Sequence, residues 1–288
     1  MTARIQASQL QAYRDRTFHR LPDLLVKNAN QAVDFVNERG FVCFWPIKDL
    51  LMPSLWVAAA GDRPISDNRD DPGHKTWGWK DALLGKRRWY YGRIIRHRNT
   101  MISIEALPYF YALSENYGDP ENDYLMLYKQ GRLTQEAKVV YEALLQAGPL
   151  DTLALRKAAH LASRESDARF NKAIGDLQED FKILPIGVAD VGPWHYAFIY
   201  DLTTRHFPDI PEKARFISER SAQAKLLEYY LCSVGVAEFR DCQRCFGWTH
   251  DTLHRVISDL SNRGLVSTDF EIFTTPVSGV LWHEVLSI

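Results

Sequence analysis

In the second half of the chain, apolar residues recur at helical spacing, give way to short strand-like runs, and then repeat that succession. Residues 134–147 set Val140, Leu144 and Ala147 on one helical face and stop at Gly148-Pro149. Residues 151–160 read as a second helix, and a third, capped by Ser166, spaces Phe170, Ile174 and Leu177 at i, i+4 and i+7. Two strand-like runs follow, 181–188 and 194–202, joined by Asp190-Val191-Gly192-Pro193. Beyond the connection at 207–211 come helices over 221–233 and 238–245, a turn at Gly247-Trp248, and a helix capped by Thr249 that buries Leu253, Val256, Ile257 and Leu260. Strands are expected over 265–266, 271–274 and 280–285. Three helices and then a hairpin is the order of a winged helix. Its recurrence is hard to ascribe to chance.

The first half is less regular. Helices are expected over 8–18, 32–39 (stopped by Gly40), 53–60 (opening on Pro53) and 77–84, with a loop rich in Asp, Pro and Gly over 61–75. Runs 88–95 and 100–104 predict a hairpin turning near Arg98-Asn99. The expected class is mainly α with short β-hairpins, an α+β chain of three tandem winged-helix domains over 1–125, 132–206 and 218–288. The first of these carries the basic hairpin.

A chain of 288 residues with 46% hydrophobic and 25% charged residues buries enough surface to fold, which excludes wholesale disorder. Lys+Arg 35 against Asp+Glu 36 gives a net charge of −1, so affinity for a polyanion has to come from local patches. The first twenty residues lack the apolar core of a signal peptide, and no run approaches the length of a membrane span. Four cysteines make no disulfide framework. A cytoplasmic protein without membrane contact is expected.

The strongest patch is the predicted hairpin, where Lys86, Arg87, Arg88, Arg93, Arg96 and Arg98 are interleaved with Trp89, Tyr90 and Tyr91. Strand alternation places Arg88, Tyr90 and Gly92 on one face and Trp89, Tyr91 and Arg93 on the other. Basic groups neutralise phosphates and an aromatic face, Tyr90 in particular, stacks on a base. The competing reading has Trp89 and Tyr91 in the core and the arginines paired with carboxylates. The third helices offer Arg169 and Lys172 in one repeat and His254 and Arg255 in the other, on faces of mixed charge that suit phosphate positioning or plain solvation. Cys242-Gln-Arg-Cys245, with Cys232 and His250, is a lone CxxC inside a predicted helix, better read as core than as zinc site. Trp77 and Trp79 beside His74 read as packing rather than an aromatic pocket. No metal and no cofactor is expected. Walker, GxGxxG, HExxH and GxSxG motifs are missing, which removes several enzyme classes.

Residues 33–42, Pro53-Ser54-Leu55-Trp56, Arg87-Arg88-Trp89-Tyr90-Tyr91 leading to Glu105-Ala106-Leu107-Pro108, Gly148-Pro149-Leu150-Asp151-Thr152 and the helix-turn-helix over 226–260 together resemble the crosslink-repair DNA glycosylase family, YcaQ-like or AlkZ-like. The resemblance implies three tandem winged helices, a concave basic channel, and duplex DNA, damaged or not, as partner. In that family a Gln-x-Gln or Gln-x-Asp pair after the Gly-aromatic-Val segment positions the attacking water. Here the matching positions are Cys43 and Trp45, and neither side chain holds a water as a carboxamide or carboxylate does. This departure counts against ordinary glycosylase chemistry, although Asp49 follows closely. The reading preferred from sequence is a DNA-binding relative of these enzymes. The alternatives are an active glycosylase using Asp49, and a winged-helix transcriptional regulator or interaction scaffold; oligomeric state is left open.

Overall fold

Helices begin where a short polar side chain takes up the free amides of the first turn. Asn28, Ser54, Thr134, Asp151, Ser218 and Thr249 each accept a backbone N–H this way. The computed structural model describes residues 3–68, 70–273 and 275–287. A leading strand β1 (Ala3–Ile5) and helix α1 (Ala7–Thr17) precede a first unit of α2 (Ala29–Arg39), β2 (Phe41–Cys43), α3 (Leu55–Ala60), α4 (Lys75–Leu83), β3 (Tyr90–Arg93) and β4 (Asn99–Ile102). Helices α5 (Leu107–Ala112) and α6 (Asp123–Lys129) lead to a second unit of α7 (Gln135–Ala147), β5 (Leu150–Asp151), α8 (Thr152–Ala158), α9 (Asp167–Glu179), β6 (Ile183–Ala189) and β7 (Ala197–Leu202). After α10 (Thr203–His206) and α11 (Ile210–Arg215), the third unit runs α12 (Glu219–Val234), β8 (Val236–Glu238), α13 (Phe239–Phe246), α14 (His250–Asn262) and β9 (Val266–Ser267). Its last strands are β10 (Phe270–Ile272), β11 (Thr275–Pro276) and β12 (Gly279–Trp282).

The α+β class expected from the sequence holds. Helices dominate, and the strands form four small sheets ordered β2-β4-β3, β5-β7-β6, β8-β12-β9 and β1-β10-β11. The first three repeat one topology, in which the final strand lies between the other two. In each repeat the first helix stops at a glycine of positive φ, Gly40, Gly148 or Gly235, from which the first strand departs. Gly40 is needed for space as well as for its φ of 77°: a Cβ there would lie 2.4 Å from the ring of Tyr229. No helix among the described residues is long and apolar enough to cross a membrane.

Several local expectations are corrected. Helix α3 starts at Leu55 with Ser54 as its cap, so Pro53 lies outside it, and the helix expected over 77–84 begins two residues earlier, at Lys75. Ser166 ends a short 3-10 turn, Arg164–Ser166, and makes no capping bond. The basic hairpin turns at Ile95–His97, ahead of the Arg98-Asn99 position. The strand expected over 271–274 is seen as Phe270–Ile272; Thr274 lies outside the described residues.

The cores do not follow the expected boundaries either. Strand β1 pairs in parallel with β10, and the Tyr13 hydroxyl donates to the Cys232 carbonyl at 2.6 Å, so the leading segment packs on the third unit. Phe41, Cys43 and Tyr90 of the first unit share one hydrophobic cluster with Leu226, Tyr230 and Cys245 of the third. The segment 1–125 is therefore no self-contained body. The second unit has its own core around Val140, Leu144, Phe170 and Leu177.

One tie between the second unit and the first is a buried cation. Lys80 on α4 is fully buried, with its Nζ 4.4 Å from the ring centre of Trp77 and 4.7 Å from that of Phe198. It lies 2.6 Å from an Asp81 oxygen and donates to the Tyr196 hydroxyl at 2.8 Å. Burial pulls its pKa down while Asp81 pulls it up. Four aromatic faces and one carboxylate thus replace water around the ammonium, and two of the four, Tyr196 and Phe198, belong to the second unit's hairpin. Lys80→Met keeps the length and removes the charge, leaving Asp81 without its cation. A loss of about 3 kcal/mol is expected in urea unfolding. An unchanged midpoint would mean that the buried ammonium contributes nothing to joining the units.

Candidate nucleic-acid interface

The site grows from the end of β2. Cys43 closes the strand, its amide donating to the Pro53 carbonyl at 3.0 Å and its sulfur 3.4 Å from that of Met52. The thiol is buried, and burial pushes its pKa up to about 12. Phe44 turns the other way, into a cluster with Trp45, Trp77 and Tyr91. Trp45 is half-buried against Trp77, and its indole N–H has no acceptor among the described residues. The chain then leaves the core through residues 46–49 and returns at Leu50, whose amide donates to the Ile47 carbonyl at 3.3 Å. Asp49 is exposed on this turn with a φ of 60°.

Opposite stands the tip of the β3–β4 hairpin. Arg98 N–H donates to the Ile95 carbonyl at 2.9 Å, and the Thr100 hydroxyl accepts from the Ile95 amide while donating to the Arg98 carbonyl. Arg96 and His97 between them are both left-handed, with φ of 52° and 55°. Helix α9 holds the tip from the side: the Gln178 carboxamide oxygen accepts the Arg93 amide at 2.8 Å, and Glu179 pairs with His97 at 3.2 Å. Between turn and tip lies a cleft of about 750 Å³ lined by Trp45, Lys48, Asp49, Ile65, Arg93, Arg96, Arg98 and Asn99. Arg96 reaches across it to the Lys48 carbonyl at 3.4 Å.

Lys48, Arg93, Arg96 and Arg98 face a single carboxylate, Asp49, and none of the five makes an ion pair among the described residues. Many arginines elsewhere find acids, among them Arg63 with Asp71, Arg156 with Asp167, Arg220 with Asp259 and Arg263 with Glu228. Three of the nine described non-glycine residues with positive φ, Asp49, Arg96 and His97, border this one cleft. Such backbone costs free energy unless its surroundings hold it, and it collects at functional sites.

The other residues singled out from sequence are dispersed. Lys86, Arg87 and Arg88 are exposed and make no ion pair among the described residues, but they precede β3 and so lie at the end of the strand away from the tip. Arg87 is close enough to His206 on α10 that burial and this cation together lower the histidine's pKa. Tyr90 is a correction. Its ring is fully buried, 5.1 Å from that of Phe181, and its hydroxyl donates to the Ile183 carbonyl, so it presents no face for a base. Both faces of β3 are covered, because Trp89 and Tyr91 enter the first unit's core while Tyr90 enters the core shared with the third. On α9, Arg169 pairs with Glu136 at 3.1 Å and Lys172 with Asp176 at 2.5 Å. On α14, His254 is exposed against Phe239 and His250, and Arg255 donates to Gln223 at 3.3 Å. No group of three or more His, Cys, Asp or Glu able to hold a metal is found among the described residues, and burial pushes Cys242 up to about 12.

Sequence reading passed over Lys48, His97, Asn99 and Gln178. Lys48 and His97 adjoin residues it did name. Gln178 had a fainter signal, a carboxamide directly after Leu177 in the apolar stripe of α9.

A family model described as AlkZ related matches residues 26–247. No curated protein matches. Among solved structures, Streptomyces sahachiroi DNA glycosylase AlkZ is similar, at 12% sequence identity and a TM-score of 0.62, with 99% of this chain and 71% of that chain covered. At that identity the likeness is one of fold.

A buried neutral thiol carries a pH signature. The Cys43 pKa is raised in the folded state, so its contribution is complete below the unfolded thiol's value and is lost as pH rises above about 8.5 towards 12. In that window Cys43 adds about 1.4 kcal/mol per pH unit to the fall in stability. Cys43→Ala is expected to flatten the slope of urea stability between pH 9 and 11 by about one proton. Identical slopes would place the thiol in water.

Proposed function

The chain belongs to the AlkZ-related family, and from that premise we propose that it binds duplex DNA, damaged or not, through the cleft between residues 45–49 and the β3–β4 tip. On this reading each of the three repeated units is a winged helix. One observation carries the proposal: four cations are gathered on one polar cleft with no ion pair to a carboxylate among the described residues, while many of the protein's other arginines are paired with acids. Like charges held together raise the local potential, and a polyanion is the partner that releases the stored repulsion. The strained tip fits the same reading, since it fixes cations where a flexible loop would let them separate. The likeness in fold to a DNA glycosylase agrees. DNA repair is the setting that family and fold together favour.

The third helices play a lesser part. Arg169 and Lys172 are already neutralised, so a phosphate at α9 would first have to displace an acid. Replacing Arg93, Arg96 and Arg98 together with Ala is expected to weaken duplex binding and to make its dependence on log salt less steep by about three, one unit for each phosphate contact. Retained affinity and slope would move the interface elsewhere. No retardation of any duplex by the unaltered protein at low salt would favour a scaffold.

A second reading rests on Asp49. Its carboxylate is exposed on the cleft wall, the one acid in a ring of cations, where it can hold a water against a sugar carbon while the arginines grip the backbone. Cys43 is excluded from that work by burial. With alkylated or crosslinked duplex, Asp49→Asn is expected to lower the rate of abasic-site formation about a hundredfold or more while leaving the melting temperature in place. Unchanged excision would clear Asp49 of the role.

A further inference from the structure

Helix α9 ends in a concentration of negative charge, and His97 lies against it. The last turn holds Asp176 and Glu179, Asp180 caps it, and no basic residue of that turn offsets the partial negative charge of the free carbonyls. Burial raises the pKa of Glu179 and of Asp180, so a cation brought close to either carboxylate is favoured. Asp176 already has Lys172 at 2.5 Å, and Lys182 acts on Asp180. Glu179 is left to the imidazole of His97, whose Nε2 is 3.2 Å from its carboxylate. The ring's Nδ1 is 4.0 Å from where a Cβ on Gly175 would stand, so the imidazole lies along one face of α9, from Gly175 to the residue four places on.

The charges around the ring are of both signs. On its own hairpin Arg96 and Arg98 oppose a proton there, and Lys48 on the facing turn does so too, with Asp49 beside it of the other sign. From α13, Arg244 borders the same space as Arg96 and Glu179 and is 3.8 Å from Asp241. Among the described residues Glu179 is the acid within ion-pair distance of His97. A neutral imidazole gives it one ordinary hydrogen bond. An imidazolium makes a charge-assisted bond at a helix end that favours cations. The difference reaches the backbone, because His97 and Arg96 are the left-handed residues of the tip and such backbone persists only where its surroundings hold it.

We propose that Glu179 is a positioning residue which clasps the protonated His97, so that the tip presents Arg96 and Arg98 to a duplex more firmly as pH falls from 8 to 5.5. The affinity effect rests on the duplex-binding reading of the cleft. Histidine is the side chain whose charge changes in that interval. A histidine that gains a carboxylate partner on folding contributes while it is protonated and loses the contribution as pH rises. At lower pH still, Glu179 itself takes up a proton, burial having raised its pKa, and the clasp is lost from that side as well. A looser tip is a smaller population competent to bind, and apparent affinity falls with that fraction.

The test measures duplex affinity by fluorescence anisotropy at pH 8 and pH 5.5 and one salt concentration. Alongside it, hydrogen exchange of the Arg98 amide, which closes the tip on the Ile95 carbonyl, is followed by NMR at both pH values and corrected for the intrinsic rate. The unaltered protein is expected to bind about fivefold more tightly at pH 5.5 and to protect that amide better there. Glu179→Gln is expected to lose both differences, and circular dichroism melts establish that it folds. A direct contact between the imidazolium and a phosphate gives the opposite result: removing the acid tightens binding and the pH effect on affinity survives, which overturns the proposal. So does a pH effect that survives in His97→Gln, since another group then carries it. No binding of a duplex at either pH retires the cleft reading and the effect on affinity with it, while amide protection that still follows pH keeps the clasp. Protection indifferent to pH in the unaltered protein overturns the clasp whatever the duplex does.

Discussion

Everything at the site depends on how the tip of the β3–β4 hairpin is held. Arg96 and His97 are left-handed, a conformation that costs a residue with a Cβ about 1–2 kcal/mol and that a free hairpin would give to glycine or asparagine. The surroundings leave the tip no alternative. Thr100 satisfies the backbone from within the hairpin, Gln178 takes the Arg93 amide from α9, and Glu179 pairs with His97. Helix α9 therefore serves first as a brace for the unit before it. In a helix-turn-helix that helix would face a groove; here its last turn is committed to a neighbouring hairpin, and its two cations to acids.

Much of the fold was legible because it is written locally. The cap Thr249, the stops Gly40 and Gly148, and the stripe Leu253, Val256, Ile257, Leu260 all act within a few residues of themselves. What the pattern could not convey was which core each stripe enters. Strand alternation separates Tyr90 from Trp89 and Tyr91 correctly, but it names no buried or open face, and with α9 and the third unit packed against β3 both faces close. The same limit hid the sharing of one core by the first and third units, since Phe41 and Cys43 meet Leu226 and Tyr230 only once the chain has folded. Lys80 escaped for the converse reason: a lysine between two tryptophans and an aspartate reads as surface until a second unit's aromatic hairpin is laid over it.

The charge balance looks unpromising for a DNA-binding protein and proves uninformative. With cations and acids almost equal in number, what matters is how they are paired. Most long basic side chains here lie within reach of an acid, on their own helix or across a unit. Such surface pairs add little stability, but they set the local potential near zero. The cleft gathers four cations that this pairing does not reach. A net charge of −1 then helps the proposed function, because a protein without a positive excess avoids indiscriminate adhesion to polyanions.

The two proposed activities make unequal demands on that strip. Water-directed hydrolysis needs acceptors aimed at one point to within about half an ångström, which strands provide better than turns. Cys43 and Trp45 are two residues apart, a spacing that in a continuing strand would aim them alike. Here β2 ends at Cys43, whose thiol turns into the core beside Met52 while Trp45 borders the cleft. The acceptor left is Asp49, on an exposed turn and without a partner across the cleft. Binding a backbone asks for less. Phosphates tolerate displacement, long arginines follow them, and the attraction weakens only gradually with distance. On the proposed reading the braced tip and unpaired arginines are enough for binding, whereas hydrolysis would require Asp49 to be oriented by something that arrives with the DNA.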